Sequence, residues 1–308
     1  DVVRVAVESW APDFGAPMDD GSGDQAPSDL DVEVDRAAWA PIDPTADPAG
    51  AVVFVDGVRR VEARVRIEVD GRPPLGGICA SYAAGAVRCD GRATVLEPDV
   101  RRGLFCREGG PDAIDTAHGA FTRHRVVEDD TEDLMLALQN AMADAEAEVS
   151  ERVARVDDEL LVVDGPLSKR RAGLRQAVGY VKTHRSAYLT PPATEVMPRL
   201  DAGQRTPLFR IGSGGFQRWS WYLRLPGPRD HDWWGVIRSE VDGDRSLAEA
   251  RAMADLVTVT LPAFASEGHK DPRAPQNLYP IGGLEKDLKH RLGDPKLWYR
   301  ALRTAVAA

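Results

Sequence analysis

Apolar residues occur along this chain in runs separated by turn-forming residues, and these runs predict strands and helices. Residues 52–55 and 160–163 are continuously apolar, and each run is followed by Asp-Gly, a pattern typical of strands that are buried on both faces. Residues 61–71 alternate between apolar and polar side chains, which predicts a half-exposed strand forming a hairpin with the first run. In residues 131–156 the apolar side chains recur at helical spacing, which predicts a long amphipathic helix.

The rest of the pattern extends this prediction to the end of the chain. Helices are expected at residues 247–259, after Gly282 and after Pro295. Because strands come first and helices alternate with strands later, we expect an α/β fold with a mixed sheet flanked by helices. Further strands are expected at residues 77–82, 86–89, 121–127, 177–185, 207–211, 218–225 and 234–241.

The beginning of the chain differs in composition from the rest. Residues 11–50 are rich in Pro, Gly, Asp and Ala, which predicts an extended acidic arm with one short ordered element around residues 30–39. Such an arm is either a solvated linker or a segment that covers a basic groove or a partner surface. We therefore divide the chain into an acidic segment over residues 1–50 and a folded domain over residues 51–308.

The formal net charge of −10 originates in this acidic segment, which holds 12 acidic and 2 basic side chains. The remaining residues hold 37 acidic and 37 basic side chains and are neutral as a whole. Because acidic surfaces repel phosphates, the segment argues against nonspecific nucleic-acid binding, but the neutral domain can still carry local basic patches. The charge of the whole chain therefore does not decide whether nucleic acid is a partner.

The overall composition, with 43% hydrophobic and 29% charged residues, is that of a globular protein with a substantial core. No apolar stretch reaches the roughly 18–20 residues that cross a bilayer, and no basic-then-apolar leader opens the chain, so we expect no membrane association. Three cysteines without a Cys-x-x-Cys pair predict reduced thiols in a cytoplasmic protein rather than a disulfide framework or a zinc site.

Two common catalytic motifs are missing from the sequence. The glycine-rich residues 212–215 are not followed by Gly-Lys-Ser/Thr, which argues against a nucleotide-binding phosphate loop, and a hairpin turn accounts for them better. No Gly-x-Ser-x-Gly elbow stands between a predicted strand and a predicted helix, which argues against a serine hydrolase.

Two of the six Asp-Gly pairs indicate a metal site. Four pairs follow polar or alternating segments and are predicted as turns. Asp56 and Asp164 instead end the two continuously apolar runs, which places each carboxylate at the carboxyl end of an interior strand, where open α/β sheets bind ligands. If these strands are neighbours, the two anions repel each other, and a divalent cation relieves the repulsion.

The residues around Asp164 suit a phosphodiester substrate. The preceding helix carries several acidic residues, one of which could supply a third metal ligand, although spacing does not single it out. After Asp164 the sequence turns basic. Cations behind an acidic metal cluster are typical of sites where metal ions take the scissile phosphate and Lys or Arg holds its neighbours. The acidic residues are Asp144, Glu146, Glu148 and Glu151, and the basic ones are Lys169, Arg170, Arg171, Lys182, His184 and Arg185.

Four motifs in order, FVDGVRR, LLVVDGPLS, GYVKTHR and NLYPIGGLEKDLKHR, resemble the NurA family of DNA-end-processing nucleases. The resemblance spans residues 51–291. It implies a ribonuclease-H-like mixed sheet flanked by helices, with an inserted or appended β-rich region. It also implies a manganese-dependent nuclease, usually a homodimer, whose partner is a hexameric translocase of the HerA type.

The resemblance assigns four metal ligands. Asp56 corresponds to the ligand on the first strand and Asp164 to the aspartate of the second motif. Glu148 is expected to be the acidic residue on the preceding helix, with Glu146 as the alternative. Asp287 is expected to be the ligand on the helix after the late Tyr-Pro motif. The Gly282-Gly283 pair departs from the family pattern there, and Glu285 or His290 could fill the role of Asp287 instead.

Two further residues correspond to the catalytic machinery of the family, and others are expected to contact the substrate. Lys182 corresponds to the basic residue after a core strand and would neutralise charge on the phosphate. Tyr279 corresponds to the tyrosine of the late motif. The residues expected to contact nucleic acid are Arg59, Arg60, Lys169, Arg170, His184 and Arg185.

These expectations combine into one hypothesis and two alternatives. The hypothesis is a metal-dependent deoxyribonuclease with single-strand endonuclease and 5′-to-3′ exonuclease activity, which uses Mn²⁺ or Mg²⁺ because its ligands are hard oxygen atoms. The first alternative is a noncatalytic, nuclease-like scaffold subunit that docks on a translocase. The second is a ribonuclease of the same fold, because nothing in the sequence reports on 2′-hydroxyl recognition.

Overall fold

The structure is a computed structural model of the full chain, and it describes residues 24–68, 74–154, 159–184, 186–213, 215–229 and 231–306. Within the described residues, no helix combines the length and apolar character that crossing a membrane requires. The chain divides into two compact units. Unit 1 comprises Asp1–Phe54, Arg88–Ala93 and Ala154–Gly282, and unit 2 comprises Val55–Val87, Thr94–Val153 and Gly283–Ala308.

The described elements are predominantly strands in the first third of the chain and alternate between helices and strands afterwards. The strands are β1 Asp24–Gln25, β2 Ser28–Asp29, β3 Val52–Ile67, β4 Leu75–Cys89, β5 Ala93–Cys106, β6 Ala113–Thr116, β7 Gly119–Arg125, β8 Leu160–Asp164, β9 Ala177–Val181, β10 Ser186–Ala187, β11 Phe209–Ser213, β12 Phe216–Arg224 and β13 Val236–Asp242. The α-helices are α1 Thr131–Val153, α2 Lys169–Ala172, α3 Leu247–Thr260, α4 Tyr279–Arg291 and α5 Pro295–Ala305.

Most strands belong to one large mixed sheet, which confirms the α/β class. Its eleven strands are hydrogen-bonded in the order β2-β11-β12-β13-β9-β8-β3-β4-β5-β7-β6. The strands β8 and β9 are parallel, and Asp164 lies opposite Tyr180 in their register. The strands β9, β13, β12 and β11 pair antiparallel. The start of β8 lies beside the start of β3, because the Leu160 amide donates to the Ala51 carbonyl.

Unit 1 buries an aromatic-rich core beside β11–β13. Phe209 and Tyr222 stack with their ring centroids 5.6 Å apart, and Trp233 contacts Tyr222 edge-on. The acidic segment contributes to this core through Leu30 and Trp39, which are buried in it. The short ordered element expected around residues 30–39 is thus present, as buried anchor residues rather than as a long helix or strand.

A buried carboxylate fixes the acidic segment to unit 1. Glu33 is almost fully enclosed and pairs with Arg205 at 3.1 Å and with Arg251 at 2.9 Å. It also accepts a hydrogen bond from the Leu208 amide. Arg205 is equally buried and pairs in addition with Asp255 at 2.6 Å. Because a buried charge is tolerated only when it is paired, these contacts bind residues 30–39 tightly to the unit.

Unit 2 packs α5 against the strands at one edge of the sheet. Strand β7 pairs parallel with β5 and antiparallel with β6. Trp298 of α5 contacts Phe121 edge-on at 5.6 Å, and the core here also contains Cys79, Leu104 and Cys106. Helix α5 begins at Pro295 behind Asp294, whose carboxylate caps the first turn, in agreement with the rule for proline and aspartate at helix starts.

Several predictions differ from the structure. The hairpin predicted between residues 52–55 and 61–71 is instead a single strand, β3, and the strands predicted at 77–82 and 86–89 are one strand, β4. The Asp56-Gly57 pair does not end a strand or begin a turn, because β3 continues through it from Val52 to Ile67. Gly57 is required there for a different reason: a Cβ atom would lie 2.5 Å from Glu146 Oε1 and 2.9 Å from Met142 Cγ. Residues 93–106 form a strand that was not predicted. Helix α4 begins at Tyr279 and runs through Gly282-Gly283, rather than beginning after them.

Candidate metal centre

Asp164 ends β8 and is paired with a lysine on the neighbouring strand. Lys182, one residue beyond β9, donates a hydrogen bond of 2.7 Å to Asp164 Oδ2. Both side chains are largely enclosed, with 12% of Lys182 and 16% of Asp164 exposed. The other carboxylate oxygen, Asp164 Oδ1, is buried without a hydrogen-bond partner among the described residues. Such an atom is expensive to bury unless another ligand accepts its lone pairs.

A short loop holds Lys182 from the other side. Asn277 Oδ1 accepts a 3.2 Å hydrogen bond from Lys182 Nζ, and the Asn277 amide donates to Asp271 at 2.6 Å. The adjacent Gln276 carbonyl accepts a hydrogen bond from the hydroxyl of Tyr180. Burial raises the pKa of Tyr180 well above its usual value, and the nearby charge of Asp164 raises it further. Tyr180 therefore stays protonated and keeps its donor role.

Asp56 is buried near the start of β3, and the glycine that follows it packs against a glutamate of α1. The Gly57 amide donates to Asp56 Oδ1 at 2.8 Å, and Asp56 is 7% exposed. Glu146 on α1 is 6% exposed and approaches the backbone of Gly57 so closely that no side chain could replace the glycine hydrogen. Glu146 therefore packs against β3 at Gly57.

Asp56, Asp164 and Glu285 form an acidic cluster. Each offers one carboxylate oxygen, and these three oxygens lie within 4.8 Å of one another. Oxygen atoms at this spacing can share a single cation, because Mg²⁺ and Ca²⁺ bind carboxylate oxygens at about 2.0–2.6 Å.

The glutamate expected on the helix, Glu148, points elsewhere. It forms a short ion pair with Arg101, which also binds Asp99 at 2.7 Å. The neighbouring carboxylates raise the pKa of Arg101, which therefore stays charged. Because positions 146 and 148 project about 200° apart around a helix, only one of them can face β3, and that residue is Glu146.

Helix α4 carries two acidic residues, and only one of them belongs to the acidic cluster. Glu285 belongs to the acidic cluster and is largely enclosed, with its side chain 12% exposed. Asp287, the expected ligand, instead forms an exposed ion pair with Arg291 at 2.6 Å. His290 is exposed in the last turn of the helix. Of the three candidates on this helix, the cluster therefore contains Glu285.

Tyr279 begins α4 and lies at the surface, where 38% of it is exposed. The ammonium group of Lys270 lies 5.3 Å from the centroid of its ring, in the range of a cation–π contact. The side chain is accessible to a large substrate. The catalytic role of Tyr279 stays a prediction.

The residues expected to contact nucleic acid are described only in part. Arg59 donates to Gln139, and Arg60 pairs with Glu62 at 2.7 Å. Arg170 is exposed on α2. The side chain of Lys169 and the whole of Arg185 lie outside the described residues. A contact of these residues with nucleic acid stays a prediction.

His184 occupies a core position that argues against contact with a substrate. It packs against Tyr222 and Trp233 at 5.5 and 5.4 Å between ring centroids. Its Nε2 donates to the Val236 carbonyl at 3.2 Å. Burial lowers its pKa to about 4, so the ring is neutral at physiological pH. The sequence places a basic residue here, but the structure makes it an uncharged core side chain.

The sequence hypothesis gave Glu146 and Glu285 as alternatives to Glu148 and Asp287, and it did not include Asn277 or Asp271. Spacing carried a signal for the two glutamates. Glu146 follows the buried Met142 by four residues, and Glu285 follows the buried Ile281 by four, so each lies on the buried face of its helix. No comparable signal marks Asn277, which lies in a loop just before α4.

Comparison of the sequence with protein-family models gives no match, and comparison with curated proteins gives none either. The resemblance to NurA nucleases therefore depends on the four motifs alone and stays a hypothesis.

Proposed function

We propose that this protein is a divalent-metal-dependent nuclease that hydrolyses phosphodiester bonds of DNA, built on a ribonuclease-H-like core. The observation that carries the proposal is the acidic cluster of Asp56, Asp164 and Glu285, whose ligand atoms lie within 4.8 Å of one another. Three anions this close repel strongly unless a cation is shared between them.

The donor set fits a hard divalent ion. All three ligands are carboxylates, which favour Mg²⁺ or Mn²⁺ over the softer ions that prefer thiolate or imidazole. The buried Asp164 Oδ1, which accepts no hydrogen bond from the described residues, supplies a lone pair for such an ion. Glu146, buried against Gly57 of β3, is the further ligand on α1 that the motif resemblance offers as the alternative to Glu148. A bound ion of this kind lowers the pKa of a water molecule and polarises a phosphate.

Lys182 would bind the substrate phosphate beside this cluster. Its ammonium group is held by Asp164 and by Asn277, and Asn277 is itself fixed by Asp271. A cation with restricted side-chain freedom stabilises charge that develops on a phosphate at little reorganisation cost. The chain therefore contributes a preorganised positive charge, and Asn277 and Asp271 act as positioning residues for it.

The finer features of the function are proposed from the motif resemblance. They are action on DNA single strands and ends, cooperation with a hexameric HerA-type translocase, assembly as a homodimer and a cytoplasmic location. The exposed Tyr279 and Arg170 are available for contacts with a long strand. The acidic cluster itself does not distinguish DNA from RNA.

A cleavage assay tests the proposed function. Single-stranded DNA is incubated with the full chain in Mn²⁺, in Mg²⁺ and in excess chelator, and Asp164→Asn is compared with Asp287→Asn. We expect metal-dependent cleavage that Asp164→Asn abolishes and Asp287→Asn retains, because Asp287 pairs with Arg291 outside the cluster. Cleavage by Asp164→Asn at the rate of the unaltered chain would refute the proposal. Replacing the DNA with RNA of the same sequence tests the ribonuclease alternative.

One observation favours a noncatalytic scaffold as the second candidate. Lys182 already neutralises Asp164 at 2.7 Å, so a lysine could take the place of a metal ion in a nuclease-like subunit that docks on a translocase. The thermal midpoint with and without Mn²⁺ separates the two candidates. If the cluster binds Mn²⁺, the ion stabilises the folded protein by mass action and raises the thermal midpoint. If Lys182 already balances the charge, Mn²⁺ leaves the thermal midpoint unchanged.

A further inference from the structure

We infer that unit 1 contains a nucleotide subsite, next to Asp164, that holds one base and one phosphate of the substrate strand; this inference rests on the proposed nuclease function. The site is a cavity of about 330 Å³, which falls in the size range of small-ligand pockets. Its walls come from the loop after β8, the hairpin of β11 and β12, and the acidic segment. The lining residues that carry the argument are Pro27, Leu167, Ser168, Tyr188, Phe216 and Arg218.

The loop after Asp164 is held in place by a glycine on the next strand. A Cβ atom on Gly179 would lie 2.7 Å from the Leu167 amide nitrogen. Only glycine therefore lets the loop that contains Leu167 pack so closely against β9. The Leu167 amide then donates to Glu240 at 3.0 Å, and Glu240 lies opposite Gly179 in the register of β13 and β9. Leu167 follows Asp164 by three residues, which is at most about 11 Å of backbone. The cavity wall formed by Leu167 is therefore close to Asp164.

The cavity carries a surplus of positive charge. Arg218 and Arg238 both pair with the single buried carboxylate of Glu240, at 3.1 and 2.7 Å. Neither arginine has another carboxylate partner among the described residues. Arg218 lines the cavity and remains 20% exposed, and its Nε is buried without a hydrogen-bond partner in the described part of the chain. Guanidinium groups with free donors bind phosphate oxygens in preference to other anions.

Aromatic rings supply a surface for a base. Phe216 and Arg218 are two residues apart on β12 and therefore lie on the same face of the strand. The Arg218 guanidinium is 5.5 Å from the Phe216 ring centroid. Tyr188 is partly exposed on another wall, and Arg238 lies over its ring at 4.5 Å. An aromatic ring beside a phosphate-binding cation is the combination that proteins use for single-stranded nucleic acid. Ser168 adds a hydroxyl group for a base edge or a sugar.

The acidic segment closes one side of this cavity. Ala26 and Pro27 line it, and the preceding strand β1 pairs with β10 through Asp24 and Ser186. A negatively charged segment beside a cationic pocket limits entry to ligands that also stack. This arrangement favours a base with its phosphate over a free inorganic anion.

Equilibrium binding without cleavage tests the subsite. Fluorescence anisotropy in excess chelator measures Kd for a ten-residue oligo-dT and for a strand of the same length in which every nucleotide is abasic. Phe216→Leu keeps the apolar volume and removes the ring. We expect it to weaken oligo-dT binding by at least about fivefold, the lower end of base stacking on an aromatic side chain, and to leave binding of the abasic strand unchanged. Arg218→Gln should weaken both strands.

The same binding assay includes two control variants, and it can give results that contradict the subsite. Tyr299→Leu and Arg125→Gln, which alter exposed residues of unit 2, should leave both Kd values unchanged. An equal effect of Phe216→Leu on both strands, or none on either, would overturn the subsite. A Kd for dTMP as low as that for oligo-dT would overturn a strand subsite in favour of a free-nucleotide site. Because metal is absent from the binding assay, the two proposals can fail separately: base-dependent binding by a chain that cleaves no DNA in Mn²⁺ would refute the nuclease function and leave the subsite standing.

Discussion

Lys182 Nζ lies 2.7 Å from Asp164 Oδ2 and 3.2 Å from Asn277 Oδ1. The lysine follows β9 and the aspartate ends β8, and these two strands are parallel neighbours. The pair thus lies where the carboxyl ends of parallel strands meet, the usual position of ligand sites in α/β sheets. In the proposed nuclease, the same aspartate would bind the metal ion and orient the lysine that binds the phosphate.

Replacing Lys182 separates these two roles. Lys182→Gln removes the positive charge but keeps a hydrogen-bond donor beside Asp164. We expect cleavage of single-stranded DNA to fall by about 100-fold or more, which is typical of removing one preorganised stabilising group. Mn²⁺ affinity should rise, since the ion no longer competes with an ammonium group for the carboxylate. Titration calorimetry with Mn²⁺ and a cleavage time course measure the two effects, and a parallel loss of both would contradict the assignment.

Two acidic residues on α4 give a matched pair of variants. Glu285→Gln removes a member of the acidic cluster, whereas Asp287→Asn removes an exposed partner of Arg291. We expect Glu285→Gln to reduce Mn²⁺ affinity and cleavage by at least about tenfold, the low end even for residues that only support metal ligands. Asp287→Asn should change each by less than about threefold. The reverse order of effects would restore Asp287 as the ligand.

A second matched pair lies on α1. Glu146→Gln alters a buried carboxylate that packs against Gly57 of β3, whereas Glu148→Gln alters a half-exposed partner of Arg101. We expect Glu146→Gln to lower cleavage at least about tenfold. Glu148→Gln should retain cleavage and lose at most about 1 kcal/mol of unfolding free energy, as expected for an exposed ion pair. Urea denaturation measures stability and the cleavage assay measures activity. Loss of cleavage in Glu148→Gln but not in Glu146→Gln would contradict the assignment of Glu146 as the functional glutamate of α1.

The sequence predicted much of this site because strand burial leaves a clear pattern. The continuously apolar run before Asp164 correctly predicted a buried strand ending at that aspartate. The equivalent prediction for Asp56 was wrong about the strand end, because Asp-Gly usually forms a turn and here lies within a 16-residue strand. Only the contact of Gly57 with Glu146 explains this glycine, and such a contact joins residues far apart in sequence.

Side-chain direction was harder to predict than the elements. The long helix was predicted almost to its ends, yet the motif resemblance favoured Glu148 over Glu146. The residue types are identical, and the choice depends on which helix face packs inward. The buried residues Met142 and Ile281 lie four positions before Glu146 and Glu285, so helical spacing weighted by burial would have favoured the two glutamates.

The buried His184 makes stability depend on pH. Its pKa is about 4 in the folded protein and about 6.5 in an unfolded chain. Because the folded pKa is the lower one, the unfolded state takes up the proton first, and stability falls as pH decreases from about 6.5 toward 4. Between pH 7 and pH 5 we expect a loss of about 2 kcal/mol from this group.

Urea denaturation at pH 7 and pH 5 measures this effect, with His184→Gln as the comparison. Burial also lowers the pKa of His124, which contributes in the same direction in both proteins. The difference between the unaltered chain and the variant therefore isolates His184. An equal pH dependence in the two proteins would show that His184 is not buried in its neutral form.

The most direct test of the account is anomalous X-ray diffraction at the manganese edge from crystals grown with Mn²⁺. We predict an anomalous peak within coordination distance of carboxylate oxygens from Asp56, Asp164 and Glu285, and its loss in crystals of Asp164→Asn. A map without a peak at these carboxylates, with Lys182 still bound to Asp164, would contradict the proposed metal centre and favour the noncatalytic scaffold.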